Sequence, residues 1–282
     1  MAEISAKDVK ALRDQTGAGM MDCKQALKEA EGNVERAVDL LRERGLSKAG
    51  KRSGRETSEG AVGVSIDGGF GVILELGCET DFVAKNDQFQ GLVQDVADAL
   101  RSAGGAADVD AALAVSMGDE TVDAYIKAAV GRVGENIQLK RVGTVKVGGT
   151  VGGYVHGGGK LGVLVGVITE TAEASALVAK DVAMHVAAAD PTPLAVDRDG
   201  IAAEVIEREE KVLRNQALES GKPENIVDNI VKGRLNKFFA EHCLMEQPFV
   251  KDPDKKVGDV LAEANGARVG DFIRFKLGES TQ

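Results

Sequence analysis

Histidine and cysteine are the side chains best suited to metal or nucleophilic chemistry, and the chain contains three of each. They are His156, His185, His242, Cys23, Cys78 and Cys243. No pair of histidines has metal-ligand spacing, and the cysteines form no C-x-x-C pair. His185 lies among apolar residues and is expected to be structural, and a Cys–His nucleophile at Cys78 would rest only on the presence of both residue types. The sequence therefore predicts no metal site, no covalent catalysis, and reduced, mostly buried cysteines.

Two further patterns resemble catalytic sites but lack what the chemistry needs. The run Gly157–Lys160 suggests a phosphate-binding loop, yet Tyr154 replaces the first glycine of G-x-x-x-x-G-K-[ST] and Leu161 replaces its hydroxyl residue. Strand residues follow the run, so it is predicted to be a hairpin turn. Glu79 and Asp81 could form a two-carboxylate pair, but acids at this spacing in a loop are usually solvated. We therefore expect a protein that is not an enzyme and needs no cofactor.

The feature that remains is an aromatic residue next to an acid, Asp81-Phe82. The segment Thr80–Val83 follows an apolar strand, residues 71–76, and precedes a helix that begins near Asp87. It is therefore predicted to be a loop. Two alternatives are open: Phe82 could cover the core while Asp81 caps the next turn, or Phe82 could face outward as a contact for another molecule.

An internal repeat favours the second alternative. Residues 71–74 align with 162–165 at an offset of 91 positions, while residues 95–97 align with 181–183 at an offset of 86. Both copies are predicted to contain an apolar strand, a loop and an amphipathic helix. The first copy is longer by five residues, and these fall in the loop that contains Phe82. A lengthened loop on a repeated scaffold is a candidate functional site.

Length and composition limit the classes of protein that fit. At 282 residues the chain is long enough for two or more domains. No apolar run approaches the roughly 18 residues of a membrane span, so we expect no membrane contact. The N-terminal segment lacks the basic and apolar regions of a secretion signal, which indicates the cytoplasm. A net charge of -10 and the absence of Trp argue against direct binding of nucleic acid.

Helical spacing dominates the first 45 residues. Ser5 is suited to cap a first helix, a second helix runs from Met20 to Ala30, and Asn33 caps a third that ends before Gly45. Three short helices make a small bundle with little core of its own. We therefore expect a partner to share its apolar surface.

From Gly60 onward, strand patterns alternate with helices, which indicates an α+β fold. We predict an N-terminal three-helix bundle, a core of two related α+β halves with antiparallel sheets, and a protruding antiparallel helical hairpin that turns at Pro223. The predicted domains are residues 1–45 (bundle), 46–59 (linker), 60–147 (first half), 148–198 with 242–282 (second half) and 199–241 (hairpin).

With these features assembled, the chain resembles the bacterial translation elongation factor Ts family, from about residue 3 to residue 278. One departure is Gly158-Gly159 before Lys160, where the family more often has a pair such as Ala-Arg. The matching motifs are Thr16–Lys24, Thr80–Val83, Gly134–Ile137, His156-Gly157, Ala183–Ala187, Gln247–Phe249 and Phe272–Phe275.

The resemblance implies a bundle like a ubiquitin-associated domain and a guanine-nucleotide exchange factor for elongation factor Tu. By this resemblance the bundle docks on the partner's nucleotide-binding domain. The segment Thr80–Val83 disturbs the region of the partner that holds magnesium, with Phe82 as a wedge. The implied partner is elongation factor Tu in its GDP-bound and nucleotide-free states. The implied contact residues are Thr80, Asp81, Phe82, Val83, Met20 and Met21.

An RNA- or ribosome-binding adaptor is the competing class. The basic stretch from Lys48 to Arg55 could touch RNA, although a solvated tether explains the same composition. Binding that weakens steeply with salt would distinguish this class. The sequence leaves open the oligomeric state, including self-association through the hairpin, and whether the turn His156–Lys160 contacts the partner.

Overall fold

A computed structural model of the chain describes residues 4–169 and 172–279. It begins with three helices, α1 (Ala6–Thr16), α2 (Met20–Glu29) and α3 (Val34–Arg52). The predicted caps are confirmed, since the Ser5 side chain accepts a hydrogen bond from the Asp8 amide and Asn33 accepts one from the Arg36 amide. Residues at helical spacing form the small core of this bundle. They are Val9, Leu12, Cys23, Ala26, Leu27, Ala30 and Ala37.

The predicted end of the third helix is wrong. We expected it to stop before Gly45, but α3 continues to Arg52, so the first half of the predicted linker, residues 46–52, is helical. Gly45 is buried where α3 crosses a later helix, and a Cβ built at this position would lie 3.9 Å from the Ala128 Cα and 4.0 Å from the Gly131 Cα. The close approach requires glycine on the facing helix, because a Cβ at Gly131 would lie 2.7 Å from the Gly45 Cα. Gly45 itself lies within α3 and does not end it. The division into domains stays a prediction.

The first half of the core is a three-stranded antiparallel sheet in the order β1-β2-β5, with helices on one face. Helix α5 covers that face and buries Phe89, Val93, Val96 and Leu100. Its elements are β1 (Glu59–Asp67), β2 (Phe70–Cys78), α4 (Asp81–Ala84), α5 (Asp87–Ser102), α6 (Val109–Leu113), β3 (Ser116–Met117), β4 (Glu120–Thr121), α7 (Val122–Val133) and β5 (Ile137–Lys146).

The second half repeats this arrangement with the sheet order β6-β7-β10. The glycine turn between β6 and β7 is confirmed, and Gly157, Gly158 and Gly159 all adopt positive φ angles there. The elements are β6 (Thr150–His156), β7 (Leu161–Ile168), α8 (Ala172–Ala188), α9 (Ala203–Glu219), α10 (Glu224–His242), β8 (Pro248–Phe249), β9 (Asp252–Lys256), α11 (Val257–Glu263) and β10 (Arg268–Lys276).

The predicted repeat is therefore confirmed at the level of topology. The central strand β2 pairs with β1 and β5 on either side, and β7 pairs in the same way with β6 and β10. Helix α8 packs on β6 and β7 as α5 packs on β1 and β2. The last strand, β10, pairs with β7 and completes the second copy.

The two sheets pack face to face between α5 and α8. Ile73 of β2 and Leu164 of β7 meet in the layer between the sheets, while their neighbours Val72 and Val163 face the two helices. Successive residues of a strand point to opposite faces, so strands buried on both faces read as the continuous apolar runs seen in the sequence. Gly162 permits the close approach, because a Cβ there would lie 2.4 Å from Val62.

Helices α9 and α10 pack against each other around Leu213, Ala217, Val227 and Val231. Arg214 of α9 forms an ion pair with Asp228 of α10 at 2.7 Å. These contacts support the predicted helix–turn–helix between the two parts of the second half.

Candidate partner-binding site

Phe82 is the most exposed large apolar side chain among the described residues, with 83% of its surface accessible. It lies in α4, a single helical turn that begins directly after β2. The alternative in which Phe82 covers the core is therefore wrong, and the predicted loop contains a short helix. An exposed aromatic residue on a regular element is suited to insert into another molecule.

The opposite side of α4 is anchored to the protein. Ala84 is buried, and Val83 packs against the core of the first half. Thr80, not Asp81, is the N-cap, because its hydroxyl oxygen accepts the Val83 amide hydrogen at 3.4 Å. The helix thus presents Phe82 outward while its neighbours hold it in place.

Asp81 is an exposed acid beside the aromatic ring. Its carboxylate accepts a hydrogen bond from Lys85 Nζ at 2.7 Å. This bond lowers the pKa of Asp81 from its ordinary value, with smaller contributions from the charges of Lys85 and Lys160. The side chain is therefore an exposed anion, which is suited to contact a cation or a hydrogen-bond donor.

Two carboxylates brace the chain at the start of α4. Glu135 accepts hydrogen bonds from the backbone amides of Glu79 at 3.1 Å and Thr80 at 3.0 Å, and from the Thr80 hydroxyl at 2.6 Å. Glu79 in turn accepts the Asn136 amide hydrogen at 2.6 Å, which is the main cause of the lowered pKa of Glu79. Arg55 adds a weaker contact to Glu79 at 3.4 Å.

Sequence reasoning assigned no role to Glu135. The residue belongs to one of the motifs that carried the resemblance, Gly134–Ile137, but its partners are 55 and 56 positions away in the chain. The antiparallel pairing of β2 with β5 was the available signal, since it places residue 135 opposite the end of β2.

The glycine turn of the second half lies beside this site. Gln90 Nε2 donates to the carbonyl of Ala84 at 2.6 Å and to that of Gly158 at 3.3 Å, which joins α4 to the turn. The Val62 amide donates to the Gly159 carbonyl at 2.7 Å. His156 and Lys160 are exposed on the turn. Elements from both halves therefore share one surface around Phe82.

Met20 and Met21 lie elsewhere, in the first turn of α2 in the bundle. Their side chains are 48% and 74% exposed, whereas Cys23 in the same helix is buried. The pair is thus apolar and exposed, and it lies on a different element from Phe82.

Both arginines of the basic stretch Lys48–Arg55 make contacts within the protein. Arg52 contacts the Val130 carbonyl at 3.5 Å, and Arg55 contacts Glu79.

The cysteines and His185 lie in the interior of the fold. All three cysteines are buried, and burial raises the pKa of Cys78 to about 12 and that of Cys243 to about 11. His185 is buried, with both ring nitrogens in hydrogen bonds, as expected of a structural imidazole. Within residues 4–169 and 172–279, no three His, Cys, Asp or Glu side chains lie together as a metal site requires.

A comparison with protein families identifies the chain. The family model described as Elongation factor TS matches residues 79–279, from the end of β2 to the end of the second half. The chain belongs to the elongation factor Ts family. The resemblance inferred from the motifs is thereby confirmed. The matched residues include α4 and both carboxylates that brace it.

Relatives in the elongation factor Ts family cover nearly the whole chain. Elongation factor Ts of Prosthecochloris aestuarii is 46% identical over 290 residues, covering 99% of this chain and 100% of the relative. The protein of Chlorobium phaeobacteroides is 47% identical with the same coverage. That of Halothermothrix orenii is 45% identical, covering 99% of this chain and 94% of the relative. The family assigns the chain to the elongation factors of protein biosynthesis.

None of the helices in the described part of the chain combines the length and apolar character needed to cross a membrane.

Proposed function

We propose that this protein is a guanine-nucleotide exchange factor that binds elongation factor Tu with GDP and promotes GDP release. Family membership supports the role in translation elongation. The observation that carries the mechanism is Phe82, which is 83% exposed on a helical turn whose other side is anchored in the core. A cytoplasmic location is part of this proposal, since translation elongation takes place there.

In the proposed mechanism, Phe82 inserts between elements of the partner near its magnesium site. Magnesium bridges the phosphates of a bound nucleotide to the protein that holds it. Displacement of the groups that support the ion therefore weakens nucleotide binding without the breaking of a covalent bond. Asp81 adds a negative charge next to the wedge, and Thr80 and Val83 fix the turn that carries it.

Exchange follows from reciprocity. If the exchange factor weakens the binding of nucleotide, the nucleotide must weaken the binding of the factor to the same extent. A ternary complex forms briefly, and either ligand can leave. The factor accelerates exchange without a preference for GDP or GTP, so the concentrations of the two nucleotides decide which one binds.

The remaining contacts are proposed on the same basis. Met20 and Met21 offer a flexible apolar surface by which the bundle can dock on the partner. The turn that contains His156 and Lys160 lies beside α4, so it extends the contact surface from the second half. Binding through separated modules gains affinity from the high effective concentration of the second module once the first has bound.

The test is the release of fluorescent GDP from elongation factor Tu in the presence of the Phe82→Ala variant. We expect release to slow at least about tenfold, equivalent to about 1.4 kcal/mol, because aromatic anchors at interfaces are worth about 2–4 kcal/mol on truncation. Since Phe82 is exposed, the substitution should change the free energy of unfolding by less than about 0.5 kcal/mol.

Leu177→Ala is the matched control. Leu177 is 67% exposed on α8 of the second half, so its truncation removes a similar apolar surface outside the proposed site. With this variant, GDP release from elongation factor Tu should be as fast as with the unmodified protein. Full exchange activity in Phe82→Ala, or an equal loss in both variants, would contradict the wedge.

A further inference from the structure

The end of β2 is extended by side chains after its backbone pairing stops. The last paired residues of β2 and β5 are Cys78 and Ile137. Beyond them, the next two backbone amides of the β2 side donate to the Glu135 carboxylate, and the Asn136 amide of the other side donates to the Glu79 carboxylate. Carboxylates thus replace backbone carbonyls as acceptors up to the residue that caps α4. Such charge-assisted bonds are stronger than the neutral bonds they replace.

Glu135 also determines how the cap works. The single proton of the Thr80 hydroxyl is donated to Glu135 at 2.6 Å, which leaves a lone pair of the hydroxyl oxygen to accept the Val83 amide hydrogen. A helix of four residues cannot hold itself in water, because its few hydrogen bonds do not repay the cost of nucleation. Its orientation therefore depends on its cap and its anchors.

The segment that contains Glu135 is itself held from behind. Asn136 is buried, and its side-chain amide donates to the Arg55 carbonyl at 2.7 Å. Gln138 donates in the same way to the Ser53 carbonyl at 2.9 Å. These bonds attach residues 135–138 to the chain that follows α3. Glu135 thus braces α4 from a position that is fixed on its other side.

We infer that Glu135 is a positioning residue for nucleotide exchange, which holds the Thr80-capped turn so that Phe82 is presented in one fixed orientation. The inference rests on the proposed function of Phe82. Glu135 acts through Thr80 and α4 and needs no contact with the partner. A wedge that is already ordered loses less conformational entropy on insertion than a wedge on a mobile segment does. Loss of Glu135 should therefore reduce exchange while Phe82 itself remains in the chain.

The first experiment measures the order of the turn without any partner. The chain contains no Trp, so Phe82→Trp introduces a single fluorescent reporter at the wedge. We expect Glu135→Ala to increase the rapid local motion of this Trp in time-resolved anisotropy. Glu135→Gln should fall between, because its amide keeps one acceptor oxygen. Glu56→Ala, which removes an exposed acid of the segment before β1, should leave the motion unchanged.

The second experiment tests exchange at saturating concentrations of the factor. In Glu135→Ala we expect GDP release from elongation factor Tu to slow at least about fivefold, since the donors at Glu79, Thr80 and the Thr80 hydroxyl lose their acceptor. In a Phe82→Ala background the same substitution should have little further effect, because Glu135 acts through Phe82.

The outcomes separate this inference from the proposed function. Unchanged anisotropy in Glu135→Ala would overturn the bracing role, as would additive effects of the two substitutions on GDP release. Normal exchange in Phe82→Ala would instead contradict the proposed role of Phe82. The anisotropy measurement would still test whether Glu135 orders the turn. If Glu135→Ala does not fold, Thr80→Val and Thr80→Ser replace it. Loss of order in the first and its retention in the second would support the brace, and equal order in both would contradict it.

Discussion

The two halves of the core share a sheet order and a covering helix but differ in the connection between their central strand and that helix. In the first half, β2 ends at Cys78 and α5 begins at Asp87, with α4 between them. In the second half, β7 ends at Ile168 and α8 begins at Ala172. The five additional residues of the first half provide the turn that exposes Phe82. The proposed contact site thus lies in a connection that differs between the halves, on a scaffold that both halves share.

Among the described residues, the two halves also differ in the carboxylate or imidazole side chain that each one buries. In the first half this is Glu75 of β2, whose aligned position in β7 is Gly166. In the second half it is His185 of α8, in a network with Gln247. The buried charge of the first half reaches across to the second, whereas the buried imidazole works within its own half. We therefore expect different consequences when each group is disturbed.

The largest expected effect follows from loss of the charge that pairs with Glu75. Arg141 lies 2.7 Å from the Glu75 carboxylate, donates to the Lys276 carbonyl at 2.6 Å and stacks on the Phe275 ring at 4.2 Å. Arg141→Ala leaves a buried carboxylate without its partner, so the free energy of unfolding should fall by about 3–5 kcal/mol. Urea denaturation would measure this as a lower midpoint at an unchanged slope.

Replacement of both charges is the control for that prediction. A Glu75→Leu, Arg141→Met double variant removes the pair but leaves no unpaired charge, so it should lose much less stability than Arg141→Ala alone. A loss below about 1 kcal/mol in Arg141→Ala would show that the pair does not join the two halves.

The sequence predicted the elements of both halves because apolar periodicity reports burial directly. Val72, Ile73 and Leu74 read as a strand, and the structure buries all three. The repeat also located the insertion. Whether Phe82 faces in or out was left open, since local sequence does not distinguish a lid from a wedge. The contacts that hold α4 include the hydrogen bond from Thr80 to Glu135, which is 55 positions away in the chain and so is invisible to any local pattern.

The structural role of glycine was the hardest to predict from the sequence. At Gly157 it marks a turn with positive φ, as expected. At Gly45 the same residue type serves a helix crossing, so the prediction of a helix end was wrong. A single sequence gives no sign of which use applies, because the second depends on Gly131, which is distant in the chain and close in space.

The next effect in size concerns the bundle, which packs through α3 against α7 of the first half. A Cβ at Gly131 would lie 2.7 Å from the Gly45 Cα, so Gly131→Ala must separate the two helices. We expect a loss of about 1–3 kcal/mol in the free energy of unfolding, as is typical of overpacking. Thermal unfolding followed by circular dichroism would measure it.

Gly45→Ala is the matched control at the other side of the same crossing. Its Cβ would lie 3.9 Å from the Ala128 Cα, which is an ordinary contact. Replacement of glycine by alanine within a helix adds up to about 1 kcal/mol, so this variant should be as stable as the original protein or more so. Equal losses in the two variants would mean that the helices do not cross as described.

The smallest expected effect is a dependence of stability on pH that comes from the second half. His185 Nδ1 accepts the Val250 amide hydrogen at 3.1 Å, so Nε2 carries the proton and donates to Gln247 Oε1 at 3.0 Å. Gln247 donates in turn to the carbonyls of Pro191 and Glu241. This network fits only the neutral imidazole, because a proton on Nδ1 would face the Val250 amide.

Burial lowers the pKa of His185, and its hydrogen bond to Gln247 opposes this only in part. The unfolded chain, in which a histidine has a pKa of about 6.5, therefore binds more protons than the folded chain as the pH falls. The contribution of His185 to stability is fully present above about pH 6.5 and is lost as the pH falls through that value toward the lower pKa of the folded state.

The decrease in the free energy of unfolding between pH 7 and pH 5 should be smaller in His185→Gln than in the original protein. His156→Gln accounts for the loss of a histidine as such, since His156 is exposed on the turn of the same half. If His185→Gln and the original protein lose stability equally over this range, the buried imidazole is not neutral in the fold, and the second half does not rely on it as the first half relies on Glu75 and Arg141.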